Sequence, residues 1–291
     1  MSYTLGVLGG SGLYEMEGLG DVTELDVDTP FGKPSDVILK GTLENGTTLL
    51  FLPRHGKGHG IPPHQINYRA NVCALKKSGA THLVSVSAVG SMKEEIEPGH
   101  LVIPDQFIDL TKKRITTFFE DGVAGHVPFA DPVCGLLAKA LGDAGERTDA
   151  RVHRGGTYVC MEGPQFSTRA ESRVYRSWGV SVIGMTSMPE AKLAREAELP
   201  FATLALATDY DCWHEGHEDV TVEAVVATMK KNVSLAKKAI VYLAGALPDP
   251  TKSIAHGAAR GAVMTAASAM PIDEAARERL GWLLPMERSL G

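Results

Sequence analysis

"GVLGGSGLYE", residues 6 to 15, puts three glycines and a serine directly behind a short apolar strand at residues 5–8. An apolar run of that length reads as a buried strand, and a glycine-rich turn at its end brings N–H groups and a hydroxyl close to a ligand. The same pattern recurs along the chain. Apolar, β-branched stretches bounded by glycine or proline lie at residues 48–52, 83–89, 101–103, 157–161, 180–185 and 201–208. Helical patterns sit between them, at about residues 64–78, 167–178, 189–198 and 221–246. This alternation predicts a three-layer α/β domain over residues 1–250, with a mixed, mainly parallel sheet flanked by helices. Residues 105–130 read as a long loop. The alanine-rich tract 254–270 reads as a flexible connector to a final helix, so that 251–291 packs on the same domain.

Composition narrows the function. At 291 residues and 44% apolar, the chain is long enough for one well-buried core. The net charge is −6 and the lysines and arginines are scattered among acids, so no basic stripe fits a nucleic acid backbone. No apolar run approaches the roughly 20 residues of a membrane span, and residues 1–10 lack the features of a signal peptide, so a cytoplasmic protein is expected. Four cysteines, Cys73, Cys134, Cys160 and Cys212, lie far apart without paired spacing, which argues against a structural zinc or a disulfide framework.

In an open α/β sheet ligands gather where strands end, so polar residues behind strands are the first candidates. Residues 10–15 lack the third glycine of a dinucleotide fingerprint; the turn holds a small anion through its amides and Ser11, or is merely tight. In "LPRHGKGHG", residues 52–60, Arg54 and His55 suit an oxyanion, while the glycines between His55 and His59 disfavour a helical metal pair. "SVSAVGS", residues 85–91, ends a strand in small residues that admit a ligand to the backbone. "EGPQFSTRAES", residues 162–172, offers Phe166 as a flat surface, or as a core residue. Thr186 lies at a strand end in "GMTSMPEAKLA", residues 184–194. "ATDYDCW", residues 207–213, places two carboxylates at i, i+2. Such a pair can repel, bind a divalent ion, or divide roles with one carboxyl protonated; without a third carboxylate nearby the metal option is the weaker.

Together with "NYRANVCALKKSGATHLVSVSAVGS" and "PGHLVIPDQFID", these motifs resemble, in order over residues 4–246, the trimeric purine nucleoside phosphorylase family, and within it the branch that acts on S-methyl-5'-thioadenosine. The resemblance implies phosphate contacts at Ser11, Arg54, His55, Ser87, Ala88 and Thr186. Met185 would lie against the ribose, Phe166 beside the purine, and Asp209 and Asp211 would read the base. Val222 and Val225 would line a methylthio pocket, with His126 and Leu283 contributed by a neighbouring subunit of a homotrimer. Family members acting on 6-oxopurines carry a glutamate where this chain has Ser167 and an asparagine where it has Asp209, so the resemblance implies a 6-aminopurine. Inorganic phosphate would be a co-substrate, with no cofactor and no metal. Gly184 stands where a polar residue is common before the Met-Thr pair. A hydrolytic nucleosidase, a non-catalytic nucleotide-binding module and a phosphorylase of methylthioinosine or other purine nucleosides are the alternatives.

Overall fold

The computed structural model describes residues 3–10, 12, 18–214, 222–265 and 274–284, leaving aside the side chains of 222–227 and 277. Eleven strands form its sheet: β1 Thr4–Gly9, β2 Leu19–Leu25, β3 Ile38–Leu43, β4 Thr48–Pro53, β5 His82–Ser91, β6 Leu101–Ile103, β7 Gln106–Asp109, β8 Val152–Arg154, β9 Thr157–Cys160, β10 Val182–Gly184 and β11 Phe201–Tyr210. The helices are α1 Tyr68–Lys77, α2 Gly135–Glu146, α3 Arg169–Ser177, α4 Ser187–Glu196, α5 Val222–Ala244 and α6 Glu274–Leu280.

The main path runs β2-β3-β4-β1-β5-β10-β9-β7, with β11 attached to β5 and carrying β6 and then β8. Strands β4, β1, β5 and β11 are mutually parallel, while β10 is antiparallel to β5 and β6 to β11. Helices cover both faces, which is why the central strands are apolar at successive positions. Along β4, Leu50 and Leu52 join the cluster under α1 and α4, while Leu49 and Phe51 join the cluster under α2 and α5. The expected three-layer, mixed and mainly parallel architecture is the one observed.

Four strands and one helix go beyond the sequence expectations. Strand β2 is exposed along almost its whole length, so it carries no buried-strand signature. Strand β7 opens the tract read as a loop, pairing parallel to β9; from residue 110 to 130 the described chain is irregular. Helix α2 contains Gly142, which weakens the helical pattern; the Arg154 guanidinium of β8 lies over it, 2.5 Å from where a Cβ would stand. In the alanine-rich tract, residues 254–265 form turns rather than an open connector, with Ala255, Ala259 and Ala262 buried. Its backbone is tied down by the bonds His126 N–H to Ala262 O and Met264 N–H to Ala124 O, both 2.8 Å.

The irregular tract docks on α4 through Glu196, which accepts hydrogen bonds from Thr117 Oγ1 and the Phe118 amide, each at 2.7 Å. Burial pushes its carboxyl up to about 7 against those two donors. A folded-state value above the unfolded one means that the native protein binds the extra proton, so stability is lost as pH rises from about 4.5 to 7. Thermal melts at closely spaced pH values are expected to show this slope, and Glu196→Gln is expected to flatten it; an unchanged slope would remove Glu196 as its source.

Candidate active site

Because β1, β4, β5 and β11 point the same way, their C-terminal ends open on one edge of the sheet. Gly9 ends β1, Arg54 follows β4, and β5 and β11 finish at Ser91 and Tyr210. Strand β10 adds the fifth side by an unlike route. It runs antiparallel to the end of β5, with Val182 opposite Ser91 and Ile183 opposite Gly90, so the chain returns along β5 as it leaves the strand. That return sets Thr186 Oγ1 2.9 Å from Ser87 Oγ. Both residues are buried, and Ala88 lies beside them.

Behind this hydroxyl pair lies Arg54, only 2% exposed. Its Nε donates to Glu190 Oε1 at 2.7 Å and Nη2 to Glu190 Oε2 at 3.1 Å, in a bidentate pair with a carboxylate that is itself fully buried. Nη1 donates to Val86 O at 2.6 Å, and Nη2 also reaches Leu8 O and Ser85 Oγ, both at 2.9 Å. One N–H of Nη1 has no partner among the described residues. The sequence reads Arg54 as a fork for an oxyanion; in the structure most of that fork is turned inward, onto Glu190, Ser85 and the carbonyls of Val86 and Leu8.

His55 differs from its expected part as a donor. Its Nδ1 is 2.8 Å from Ile61 O, which can only accept, so Nδ1 carries the hydrogen. Burial, and then the Arg54 charge, lower its pKa to about 4. The ring is therefore neutral with Nε2 as an acceptor, suited to a protonated phosphate oxygen rather than a bare one. It stacks on His59 at 4.1 Å between centroids, face to face, so the two rings do not converge as ligands.

The second locus forms around Gly90. The register of β11 against β5 slips between Ala207 and Asp209, leaving Thr208 as a bulge. Bulges re-aim side chains. Here Asp209 turns over Gly90, where a Cβ would lie 3.1 Å from Asp209 Oδ1 and 3.4 Å from Asp211 Cβ, so the absent side chain makes room for both acids on one side. Thr208 Oγ1 donates to Asp209 Oδ2 at 2.6 Å. Burial raises the Asp209 carboxyl to about 6, opposed by Thr208 and helped by the charge of Asp211. Burial likewise raises Asp211, opposed by Ser172 and the Cys212 amide. Desolvation, more than like-charge repulsion, makes the pair titrate late.

Ser167 is drawn to this locus from a distant segment, its carbonyl accepting from Cys212 Sγ at 3.4 Å while Arg169 Nη1 donates to Cys212 O at 3.1 Å. Phe166, the residue before Ser167, has half of its surface exposed. A capping box between Thr168 and Glu171 starts α3 immediately behind these two residues and so holds them in place. Burial keeps the Cys212 thiol protonated, above its ordinary range.

Arg114, which sequence reasoning passed over, joins the two segments that flank the opening. Its Nη1 donates to Met185 O at 2.7 Å, Met188 O at 2.6 Å and Tyr68 Oη at 2.9 Å, and its Nε to Glu162 Oε1 at 2.8 Å. The backbone of Met185 is thereby tied down, and its side chain, half-buried, lies against Gly163. Nothing in the local sequence marks Arg114, because its partners come from three separate segments, at Tyr68, at Met161 and Glu162, and at Met185 and Met188. The space that a polar residue at position 184 would fill is also accounted for: a Cβ on Gly184 would lie 2.0 Å from Tyr158 Oη.

Other expected site residues stand apart. His126 is exposed, and Leu283 is only 9% exposed, packed in the core of its own chain in the cluster that takes in Phe118 and Trp282. Ser11 lies outside the described residues, as do the side chains of Val222 and Val225, whose backbone opens α5.

Residues 4–244 match the phosphorylase superfamily model. The chain belongs to the phosphorylase superfamily. Within that superfamily it is 55% identical to the S-methyl-5'-thioadenosine phosphorylase of Geobacter sulfurreducens, over 98% of this chain and 99% of the other. It superposes with a TM-score of 0.90 and 46% identity on a methylthioadenosine phosphorylase sourced from an antarctic soil metagenomic library, covering 98% and 99% of the two chains. A mutant of the adenosine/methylthioadenosine phosphorylase of Schistosoma mansoni, in complex with methylthioadenosine, is similar at a TM-score of 0.83 and 34% identity, covering 90% of this chain and 99% of that one. Among the described residues of this superfamily member, no helix is long and apolar enough to cross a membrane.

Proposed function

We propose that the protein catalyses the reversible phosphorolysis of S-methyl-5'-thioadenosine to adenine and 5-methylthioribose 1-phosphate. One observation carries this reading: an anion-ready locus and an acid pair meet the same strand, β5, the first at Ser87 and the second, carried by the end of β11, over Gly90. Three residues of extended chain separate them by about 10 Å, room for a pentose between a phosphate and a base. The names of the superfamily relatives point to the same substrate.

Ser87, Thr186, the Ala88 backbone, Ser11 and the charge of Arg54 hold inorganic phosphate. His55 Nε2 accepts from the oxygen that carries its proton. A phosphate oxygen attacks C1', a C–O bond forms as the C1'–N9 bond breaks, and the bonding pair leaves on the purine. Asp209, protonated, donates to N7 where that charge develops, so it acts more strongly in the transition state than on bound substrate. Asp211 accepts from the exocyclic amino group. Over the whole reaction adenine gains the proton that hydrogen phosphate loses on forming the ester. Phe166 lies along the base and Met185 along the sugar. Ser167 is too short to contact the base as a glutamate would, which favours 6-aminopurines over 6-oxopurines, and Val222 and Val225 favour a thiomethyl over a hydroxyl at C5'.

The active unit in this reading is a cytoplasmic homotrimer that serves purine and methionine salvage without a cofactor. What supports assembly is exposed apolar side chains: Ile115, 56% exposed, on the irregular tract, and Met264, 69% exposed, on the segment bonded to residues 124 and 126, where His126 is exposed as well. Leu283 would reach a neighbour only through its small exposed fraction.

The test is base release from methylthioadenosine, methylthioinosine, adenosine and inosine, each with and without phosphate. Adenine is expected to appear rapidly from methylthioadenosine only when phosphate is present. Release without phosphate would make the protein a hydrolase, faster release from the two inosines would reassign the base, and ligand binding with no release at all would make it a binding module.

A further inference from the structure

Tyr158 has no part in the site as read from the sequence, yet its phenol ends inside it. The residue lies on β9 and is fully buried. Its register opposite Val182 places it beside β10, and the missing side chain of Gly184 leaves the space its hydroxyl occupies: a Cβ there would be 2.0 Å from Oη and 2.7 Å from Cζ. Phe107 packs on the ring at 5.5 Å between centroids and limits its movement. Oη lies 3.2 Å from Ser87 Oγ, which in turn lies 2.9 Å from Thr186 Oγ1.

We propose that Tyr158 is a positioning residue of the phosphate locus, its hydroxyl donating to Ser87 Oγ so that Ser87 donates to Thr186 and the Thr186 hydrogen is left directed at the anion. The proposal rests on the reading of Ser87 and Thr186 as phosphate contacts. Three hydroxyls in a row have two senses of donation, and an anion at the far end selects this one, in which each oxygen accepts from behind and donates forward. Burial pushes the phenol up to about 12, so it stays a donor across the working range. Without it, Ser87 Oγ can turn to the neighbouring Ala88 carbonyl, 3.2 Å away, and Thr186 no longer has a fixed donor sense. Gly184 and Tyr158 thus form one device, since any side chain at 184 displaces the phenol.

Tyr158→Phe removes the hydroxyl and keeps the ring. It is expected to raise the KM for phosphate by about 3- to 10-fold, the value of one neutral hydrogen bond, with the KM for the nucleoside within about 2-fold of the parent. In a Ser87→Ala background the same change is expected to add nothing, because the effect passes through that hydroxyl. Equal rises in both KM values, or full additivity with Ser87→Ala, would overturn the assignment. Should Tyr158→Phe lower the melting temperature, Gly184→Ala provides the second measurement, expected to give the same selective rise by displacing the phenol from the opposite strand; no selective rise there would also overturn it. Phosphate-independent activity in the parent protein would instead sink the phosphorolysis reading itself, so the two failures are distinguishable.

Discussion

Asp209→Asn is expected to lower kcat for methylthioadenosine by about 10²- to 10⁴-fold, the usual contribution of a positioned general acid, with little change in the KM for phosphate. The asparagine keeps the shape and an N–H donor but has no proton to transfer to N7. The parent carboxyl is held at about 6 because it is buried beside Gly90, so the protonated form is lost as pH rises through that value. At saturating phosphate, kcat/KM for the nucleoside should therefore fall above about pH 6, and the variant should lose this limb. Because the charge of Asp211 helps to raise Asp209, Asp211→Asn should keep the limb but move it to lower pH, while weakening nucleoside binding. Steady-state rates across pH for the three proteins decide the matter. Near-normal turnover by Asp209→Asn would refute its assignment as the acid.

Glu190→Ala is expected to be the most destabilising single change at the site. It leaves the Arg54 guanidinium buried without its counter-ion and deprives Ser85 Oγ of the acceptor it meets at 2.6 Å. Breaking a buried pair from one side costs about 3–5 kcal/mol, and for a chain of this size each kcal/mol lowers Tm by about 2–4 °C. Arg54→Ala should cost a similar amount for the mirror reason. The double variant Arg54→Met, Glu190→Leu removes both charges and fills the volume, and should recover most of the melting temperature, since apolar replacement of an entire buried pair is often neutral or better. Phosphate-dependent turnover should not recover with it, because the cation behind the Ser87–Thr186 hydroxyls is gone. Melting curves and phosphate saturation of the three variants separate structural from electrostatic roles. A double variant as active as the parent would show that Arg54 serves the fold alone.

Much of the architecture is legible in the chain itself. Buried central strands must be apolar at successive positions, and the turns behind them must admit ligands, so residues 5–8, 48–52, 83–89 and 201–208 announce both the sheet and its functional edge. Residue types that can do only certain chemistry, such as two aspartates two apart behind a strand, are local facts as well. Strands that carry no burial signal escaped this reading: β2 is exposed, and β7 is a short edge element paired only to β9.

What a side chain does at the site was decided by contacts between distant segments. Arg54 looks like an anion fork until Glu190, 136 residues away, takes two of its N–H groups and Val86, Leu8 and Ser85 take others. Thr186 meets Ser87, 99 residues away, only because β10 doubles back along β5. Asp209 faces inward because of one bulged residue, Thr208, and becomes a late-titrating acid because it is desolvated there. Periodicity and composition act over a few residues and so are written locally. Strand register, donor partners and loss of water depend on which segments meet, and only the packed chain determines that.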